Sequence, residues 1–275
     1  MRTTTHHHDC TFEEDEDAIH ILGVRLHPCN VEQLNEVISN AVVENKKIVI
    51  GNHNLHSVYL FHRDKKFRRF YDITYLNHID GMSLIIWSKI MGHRVTRDHR
   101  ISYLDWIIPL MTLAAQNQWR IFYLGALPGV AEKGAGILRN KINNLMLAAA
   151  HGYFAMQQGS PDNERVLKQI NDFNPRLLLV GMGMPRQEYW ILENQKRLLA
   201  NVILNCGACI DYIAGAIPAP PRWTGRWGVE WLYRLMCEPL RLWKRCLWEP
   251  WFLLRLCWHD IKRAQGKTGK AQPEK

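Results

Sequence analysis

The carboxylate of Asp80 stands between a mainly apolar run, Ile73–Ile79, and Gly81. A carboxylate in such a position can remove the proton from a hydroxyl group as that oxygen attacks an electrophile, so Asp80 is a candidate general base. Aspartate is also favoured as the residue that caps the N-terminus of a helix, and capping is the alternative interpretation. Asn54 and Asp211 carry the same ambiguity between binding a ligand and capping a helix.

The segment from Gly181 to Glu188, with the sequence GMGMPRQE, is the strongest candidate for a phosphate-binding turn. It leads into a predicted helix, and helix N-termini bind phosphate because their N–H groups are unpaired and carry positive partial charge. Pro185 is compatible with the first turn of that helix. The segment lacks a Walker A motif and a full GxGxxG motif. A diphosphate site and a tight turn whose glycines only allow close packing both remain open.

Positive charge and tryptophan are concentrated in the chain from residue 222 onward. This part holds 12 Lys and Arg residues against 5 Asp and Glu, most of the net charge of +9, and seven of the 11 tryptophans. Basic charge mixed with tryptophan is typical of surfaces that meet an anionic membrane, and nucleic acid is the rival partner. An amphipathic helix packed on the domain, or arginines that recognise a diphosphate, are further interpretations.

Short apolar runs alternate with helical patterns from residue 18 to residue 217. This alternation predicts an α/β fold with a Rossmann-like, mostly parallel sheet flanked by helices and buried on both faces. The pattern predicts one helical stretch from Asn54 to about Phe70. Ligands of parallel sheets bind at the carboxyl ends of the strands, where we expect Asp80 and the turn at 181–188 to lie.

The sheet pattern is followed by two basic, tryptophan-rich helical stretches, Gly228–Leu247 and Pro250–Arg263. They predict a helical C-terminal appendage with breaks near Pro239 and Pro250, because proline removes a helix hydrogen bond. The predicted organisation is a disordered acidic leader, the sheet domain, the appendage and a disordered tail, at residues 1–17, 18–217, 218–263 and 264–275.

The overall composition is that of a globular protein: 275 residues, 47% hydrophobic and 22% charged, with a mean hydropathy of −0.25. No apolar run approaches the roughly 18–20 residues that a membrane-spanning helix needs. The leader lacks the apolar core of a signal peptide, so we expect a cytoplasmic protein. The seven cysteines are expected to be reduced thiols, including the pair Cys206 and Cys209, and we expect neither a metal site nor a cofactor.

Several motifs, in order along the chain, carry a specific resemblance to one family. Residues 228–241 contain GVEWLYRL followed by EP and an arginine, residues 183–188 read GMPRQE, and residues 151–154 read HGYF. Asp80 and Gly81 match a DG motif, and Asn54 matches the asparagine of TxN. From about Leu22 to His259 the chain resembles the WecG/TagA/CpsF family of bacterial glycosyltransferases, glycosyltransferase family 26.

The resemblance implies an inverting, metal-independent transfer from a UDP-sugar donor to a sugar linked to polyprenyl diphosphate. It implies that Asp80 is the general base. It also implies a set of residues that contact the substrates: Asn54, Tyr153, Gly183, Gln187, Asp211, Arg222, Arg234 and Arg241. The expected partners are the two substrates and an anionic membrane surface on the inner face of the bacterial cell membrane, not nucleic acid, and self-association through the tryptophan-rich face is an alternative.

The chain departs from the family pattern near the expected substrate contacts. The family's RAP reads Ala219-Pro220-Pro221, and Arg97 replaces a glycine of RVxGxD. Residues 218–223 lean toward the exopolysaccharide members, which resemble the glucosyltransferase of xanthan-type gum synthesis, and so indicate a hexosyl donor. The alternative donor is N-acetylmannosamine or its uronic acid, as in enterobacterial common antigen or teichoic acid synthesis. A nucleotide-dependent oxidoreductase is disfavoured because GxGxxG is missing after the first strand.

Overall fold

The computed structural model describes residues 18–221, 223–224, 230–237 and 239–268. The predicted leader, Arg222 and residues 269–275 lie outside them. An N-terminal hairpin consists of β1 (Ile19–Ile21) and β2 (Val24–Leu26). The main strands are β3 (Ile48–His53), β4 (Leu76–Ile79), β5 (Ile121–Gly125), β6 (Leu147–Ala150), β7 (Leu177–Gly181) and β8 (Val202–Asn205). The helices are α1 (Val31–Val43), α2 (Leu55–Arg63), α3 (Lys65–Tyr71), α4 (Met82–Ile90), α5 (Tyr103–Gln116), α6 (Val130–Lys141), α7 (Pro161–Phe173), α8 (Arg186–Asn194), α9 (Cys209–Ile213), α10 (Glu230–Cys237) and α11 (Pro239–Thr268).

The six main strands form one parallel sheet in the order β4-β3-β8-β7-β5-β6. Ile50 of β3 pairs with Leu76 of β4, and Leu124 of β5 pairs with Val180 of β7. Helices cover both faces, and the predicted α/β fold with a parallel sheet and a helical C-terminal appendage is confirmed. All carboxyl ends of the strands consequently lie along the same edge.

Each face of the sheet has its own apolar cluster, which explains why the strands are apolar throughout. Trp106 and Leu110 of α5 lie in one cluster, on the face that α1, α5 and α6 cover. Phe67 of α3 and Trp190 of α8 lie in the other. Because the sheet is buried on both faces, polar side chains of this part of the chain reach solvent at the strand ends and in the loops that follow them.

The helical stretch predicted from Asn54 to Phe70 is wrong in one respect, because the structure divides it into α2 and α3 at Asp64. The Asp64 carboxylate accepts hydrogen bonds from the N–H groups of Lys66 and Phe67, at 2.9 and 3.0 Å. A side-chain cap of this kind starts a new helix, so α3 leaves the axis of α2 and packs on the sheet beside α8.

The prediction of a break near Pro250 is wrong, because α11 continues through it. A proline inside a helix removes one backbone hydrogen bond, and packing on both sides of Pro250 offsets this loss. Glu249 bonds to His56 of α2 at 2.7 Å, and Leu253 is only 7% exposed, in a cluster with the hairpin and α4. The other predicted break, at Pro239, agrees with the start of α11, where proline costs no hydrogen bond.

Asp260 anchors α11 to the rest of the domain. Its buried carboxylate accepts hydrogen bonds from the N–H of Leu22, in the hairpin turn, and from the indole N–H of Trp87, in α4, at 2.6 and 3.1 Å. His62 of α2 bonds to the carbonyl oxygen of Leu22 at 2.7 Å. The appendage, the hairpin, α2 and α4 thus form one packed unit.

The outer side of α11 exposes large apolar side chains, which are Leu240, Trp243, Trp248, Trp251, Leu254, Trp258 and Ile261. We call these seven residues the outer face of α11. No helix among the described residues combines the length and apolar character needed to cross a membrane.

Replacing Asp260 with alanine should destabilise the protein, since the buried N–H of Leu22 and the partly buried indole N–H of Trp87 would lose their acceptor. We expect the free energy of unfolding to fall by about 2–3 kcal/mol in urea denaturation. Asp162→Ala is the control, because that carboxylate is on the surface and pairs there with Arg165; it should cost less than about 1 kcal/mol. Equal losses in the two variants would show that Asp260 does not anchor α11.

Candidate active site

The ends of β4 and β3 bring Asp80 and Asn54 to one place. The N–H of Asp80 donates to the carbonyl oxygen of His53 at 2.8 Å, which holds the end of β4 against β3. Gly81 packs against Asn54, since a Cβ added to the glycine would lie 3.6 Å from the Cβ of Asn54. Asp80 is half-buried at the edge of the sheet.

The structure distinguishes the alternatives that the sequence leaves open for these two residues. Gly81, and not Asp80, occupies the N-cap position of α4. Asn54 does cap α2, because its Oδ1 accepts from the N–H of Ser57 at 3.1 Å. The cap leaves the amide nitrogen of Asn54 as the donor that a ligand would meet.

Tyr103 connects Asp80 electrostatically to the end of β8. Burial raises the pKa of the Tyr103 phenol well above its ordinary value, and the nearby Cys206, Cys209 and Asp80 raise this pKa further. Asn52, beside the phenol, offsets part of the rise. The Tyr103 hydroxyl therefore stays protonated at neutral pH, in the neighbourhood that Asp80 shares with β8.

Gln187 joins the loops that follow β7 and β8. Its Oε1 accepts hydrogen bonds from the N–H groups of Gly183 and Gly207, both at 3.2 Å. The side chain is fully buried. The resemblance implies that Gln187 lines the donor pocket, whereas the structure positions it beneath the two loops as their support.

Glu188 holds Gln187 in place from below. Its Oε1 accepts from the amide nitrogens of Gln187 and Asn205, at 2.7 and 2.9 Å, and the Asn205 carbonyl oxygen accepts from Asn52 at 2.8 Å. Burial raises the pKa of Glu188 to about 7, although the hydrogen bonds from Asn205 and Gln187 lower it in part. A chain of buried polar side chains thus runs from β3 through β8 to α8.

The glycines of the 181–188 turn have two different functions. A Cβ on Gly181 would lie 2.5 Å from the carbonyl oxygen of Gly207 and from the hydroxyl of Tyr123, so this glycine allows close packing. Gly183 has a φ of +77° with open space beside it, as does Gly207 with a φ of +57°. These left-handed positions favour glycine, and they leave room for a ligand above the loops.

Tyr153 lies at the β6–β7 side of the edge, against a cation that the sequence analysis missed. The guanidinium of Arg186 is 5.2 Å from the centre of the Tyr153 ring and donates to the carbonyl oxygen of Gly152 at 2.9 Å. Tyr153 is 54% exposed. The position of Arg186 at the first residue of α8, after a glycine-rich turn, is the signal that could have identified it.

Asp211 lies in the first turn of α9, after β8. Burial raises the pKa of Tyr123 well above its ordinary value, and the nearby Cys206, Cys209 and Asp211 add to this rise. The Cys206 thiol is buried, which raises its pKa as well. Within the described part of the chain, no group of three His, Cys, Asp or Glu residues is arranged to hold a metal ion.

Arg100 ties the appendage to the Asp80 end of the edge. The N–H of Ile101 donates to the carbonyl oxygen of Ile79 at 2.8 Å, which places Arg100 beside the end of β4. Its guanidinium contacts Glu230, the first residue of α10, at 2.7 Å and Asp105 at 3.7 Å. No local pattern signals Arg100, because Glu230 lies far along the chain.

The three arginines that the resemblance implies are only partly described. Arg222 lies outside the described residues. Arg234 is on α10, one turn after Glu230, and Arg241 is in the first turn of α11, but their side chains are outside the description. Glu230, at the start of α10, contacts Arg100, and Arg100 lies beside the end of β4. The backbone at the start of α10 therefore lies near the Asp80 end of the edge.

Glu188→Gln should remove a pH dependence of stability. The folded protein holds the Glu188 proton up to about pH 7, whereas the ordinary pKa is 4.5; the wild type therefore loses stability as pH rises between these values. We subtract the free energy of unfolding of Glu188→Gln from that of the wild type. This difference should fall by about 3 kcal/mol from about pH 5 to about pH 8. Burial lowers the pKa of His53 and of His78 to about 3, so these two residues make stability rise with pH. Their effect is the same in both proteins and cancels in the difference.

Glu36→Gln, on the exposed side of α1, is the control in these urea titrations and should follow the wild type at every pH. A Glu188→Gln difference that does not change with pH would contradict a raised pKa of Glu188.

Comparison with known proteins supplies the family. Residues 19–266 match the model of the glycosyl transferase WecG/TagA/CpsF family, from the hairpin to the end of α11. Two relatives from Staphylococcus aureus, strains NCTC 8325 / PS 47 and COL, are each 27% identical over 221 residues, which cover 78% of this chain and 80% of the relative. Both are named N-acetylglucosaminyldiphosphoundecaprenol N-acetyl-beta-D-mannosaminyltransferase. Since the family model covers both the sheet and the appendage, the chain belongs to the WecG/TagA/CpsF family of glycosyltransferases.

Proposed function

We propose that this protein transfers N-acetylmannosamine from its UDP derivative to N-acetylglucosamine linked through diphosphate to a polyprenol, in surface polysaccharide synthesis. The names of the Staphylococcus aureus relatives support the N-acetylmannosamine alternative over the hexosyl donor that residues 218–223 indicate. The observation that carries the proposal is the position of Asp80 at the carboxyl end of β4, on the same edge as the glycine loops after β7 and β8.

The proposed reaction is a single displacement with Asp80 as the base. The acceptor oxygen attacks the anomeric carbon from the side opposite UDP, the bond from that carbon to the UDP oxygen breaks, and Asp80 takes the acceptor's proton. The half-buried position of Asp80 keeps the carboxylate near solvent while leaving a wall against which the acceptor can be oriented. Asn54, against Gly81, is next to this position and would contact the reacting sugar.

The donor would lie along the edge of the sheet, with its diphosphate over Gly183 and Gly207 and its sugar toward Asp80. The strands β8 and β3 separate β7 from β4, so the two ends of the site are three strand spacings apart, about 14 Å. The guanidinium of Arg186 would offset the negative charge that grows on the leaving UDP. Asp211 and Tyr153 border this path.

The appendage would hold the enzyme on a membrane, because the acceptor's prenyl chain stays in the bilayer. The outer face of α11 presents six tryptophan or leucine positions within a basic helix, the pattern of helices that lie in the membrane interface. Arg100 and Glu230 would then keep α10, with Arg234, close to the Asp80 end of the site.

Asp80→Asn should abolish most of the transfer without loss of donor binding. We expect turnover to fall by about 100-fold or more, since the amide cannot accept the proton, with the affinity for UDP-sugar changed by less than about threefold. Turnover is followed by UDP release and donor affinity by calorimetry. Asp72→Asn, the same change on an exposed residue near the start of β4, is the control. Near-normal turnover of Asp80→Asn would exclude Asp80 as the base.

The donor is tested with UDP derivatives of N-acetylmannosamine, its uronic acid and glucose, and with a short-chain prenyl-diphosphate N-acetylglucosamine acceptor. We expect the product mass to show N-acetylmannosamine transfer at the highest kcat/KM. Preference for UDP-glucose would overturn the donor assignment and support the hexosyl donor instead. It would not affect the proposed role of Asp80 as the base.

A further inference from the structure

A cavity of about 640 Å³ lies away from the candidate active site, between α2, α11 and the hairpin turn. Its lining includes Leu22 in the turn, His62 in the last turn of α2, and Leu256 of α11. Because α2 begins beside Asn54, the cavity is about 12 Å along this helix from the edge that carries Asp80. It is too far from Asp80 to hold the reacting groups.

Part of the cavity lining is basic. Three arginines line it, Arg68, Arg255 and Arg263, together with His62 and His259. Its one carboxylate, Asp260, already accepts hydrogen bonds from Leu22 and Trp87. No ion pair involves these three arginines in the part of the chain that the structure describes.

One of these cations is fixed in position before any ligand arrives. The Nε of Arg68 donates to the carbonyl oxygen of Phe61 at 3.0 Å, and its guanidinium lies 5.1 Å from the centre of the Phe61 ring. The guanidinium stays exposed. A pre-oriented arginine of this kind favours an oxyanion with several acceptor oxygens, such as a phosphate.

Another part of the lining is apolar. It consists of Phe61, Phe252, Leu256 and Trp258, and Phe252 packs edge-on against Tyr59 at 5.3 Å. Trp258 is 58% exposed and belongs to the outer face of α11. Cavity and outer face therefore meet at one side chain, so a ligand in the cavity can continue onto the apolar surface of the helix.

We propose that this cavity binds the headgroup of an anionic phospholipid, with the phosphate on Arg68, Arg255 and Arg263 and the glycerol and first acyl carbons on Phe252 and Trp258. A free phosphate shares the anionic chemistry but would leave the apolar part of the cavity lining uncovered. The volume is within the range of about 300–1,000 Å³ that small-molecule sites occupy. The inference rests on the proposed attachment to a membrane and is independent of the sugar donor.

The first test uses the wild-type protein with dihexanoyl phosphatidylglycerol, a water-soluble lipid, below its micelle concentration. We expect saturable binding of one lipid by calorimetry, with dihexanoyl phosphatidylcholine and inorganic phosphate each at least about tenfold weaker. Absence of saturable phosphatidylglycerol binding would overturn the proposal. Equal affinity for inorganic phosphate would also overturn it, since the cavity would then be a free-phosphate site.

The second test compares Arg255→Gln and Arg263→Gln with Arg69→Gln, which removes the same charge from an exposed neighbour of Arg68 outside the cavity lining. The two cavity variants should bind the soluble lipid about tenfold more weakly, and Arg69→Gln should stay within about twofold of the wild type. The same order is expected for binding to vesicles of phosphatidylglycerol and phosphatidylcholine. Equal weakening in all three variants would mean bulk charge attraction without a site.

Transfer to the short-chain acceptor separates this inference from the proposed function. The cavity variants should keep wild-type turnover on that acceptor, because no cavity residue is in the candidate active site. A protein that binds the lipid but transfers no sugar would contradict the proposed function alone, and one that transfers sugar but binds no lipid would contradict the headgroup site alone.

Discussion

The side chain of Gln187 accepts hydrogen bonds from the N–H groups of two different loops, and the shape of the candidate active site depends on this double contact. The loops follow neighbouring strands, so their spacing is fixed as long as both bonds persist. Gln187 keeps its orientation because its amide nitrogen donates to the buried Glu188, which also accepts from Asn205. Buried polar groups need partners, and here the partners come from β3, β8 and α8. With support from below, Gly183 and Gly207 can leave the space above them open for a ligand.

Two helices, α2 and α11, connect the sheet edge that holds Asp80 to the proposed membrane-binding face. The first helix after β3, α2, is capped by Asn54 beside Asp80, and His62 in its last turn lines the basic cavity. Along it runs α11, held through Glu249 and Asp260. A lipid headgroup in the cavity would thus set the height and tilt of the sheet edge relative to the bilayer. Since the acceptor's diphosphate is at the bilayer surface, this alignment would present its sugar to Asp80 rather than leave the encounter to rotation of the whole enzyme.

Most of the architecture could be predicted from local patterns. Apolar runs separated by helical patterns are enough to predict a parallel sheet, because strands buried on both faces cannot alternate in polarity. Specific motifs were enough to predict the family. Local patterns failed where a single side chain changed the path of the chain: Asp64 starts a new helix, and the packing of Leu253 and Glu249 carries α11 through Pro250. Propensity is a weak preference, which a few kcal/mol of tertiary packing overrides.

The sequence by itself determined the order of the strands' loops along the chain, the candidate base at Asp80 and the basic, tryptophan-rich end. Only the tertiary structure decided which of these groups meet. It separated the supporting Gln187 from the open Gly183, put Gly81 rather than Asp80 at the N-cap position of α4, and brought Arg100 to Glu230 across 130 residues of chain. It also formed a basic cavity from the hairpin turn, α2 and α11. The physical reason is that hydrogen bonds and ion pairs act over a few ångströms in space, whatever the separation of their partners in sequence.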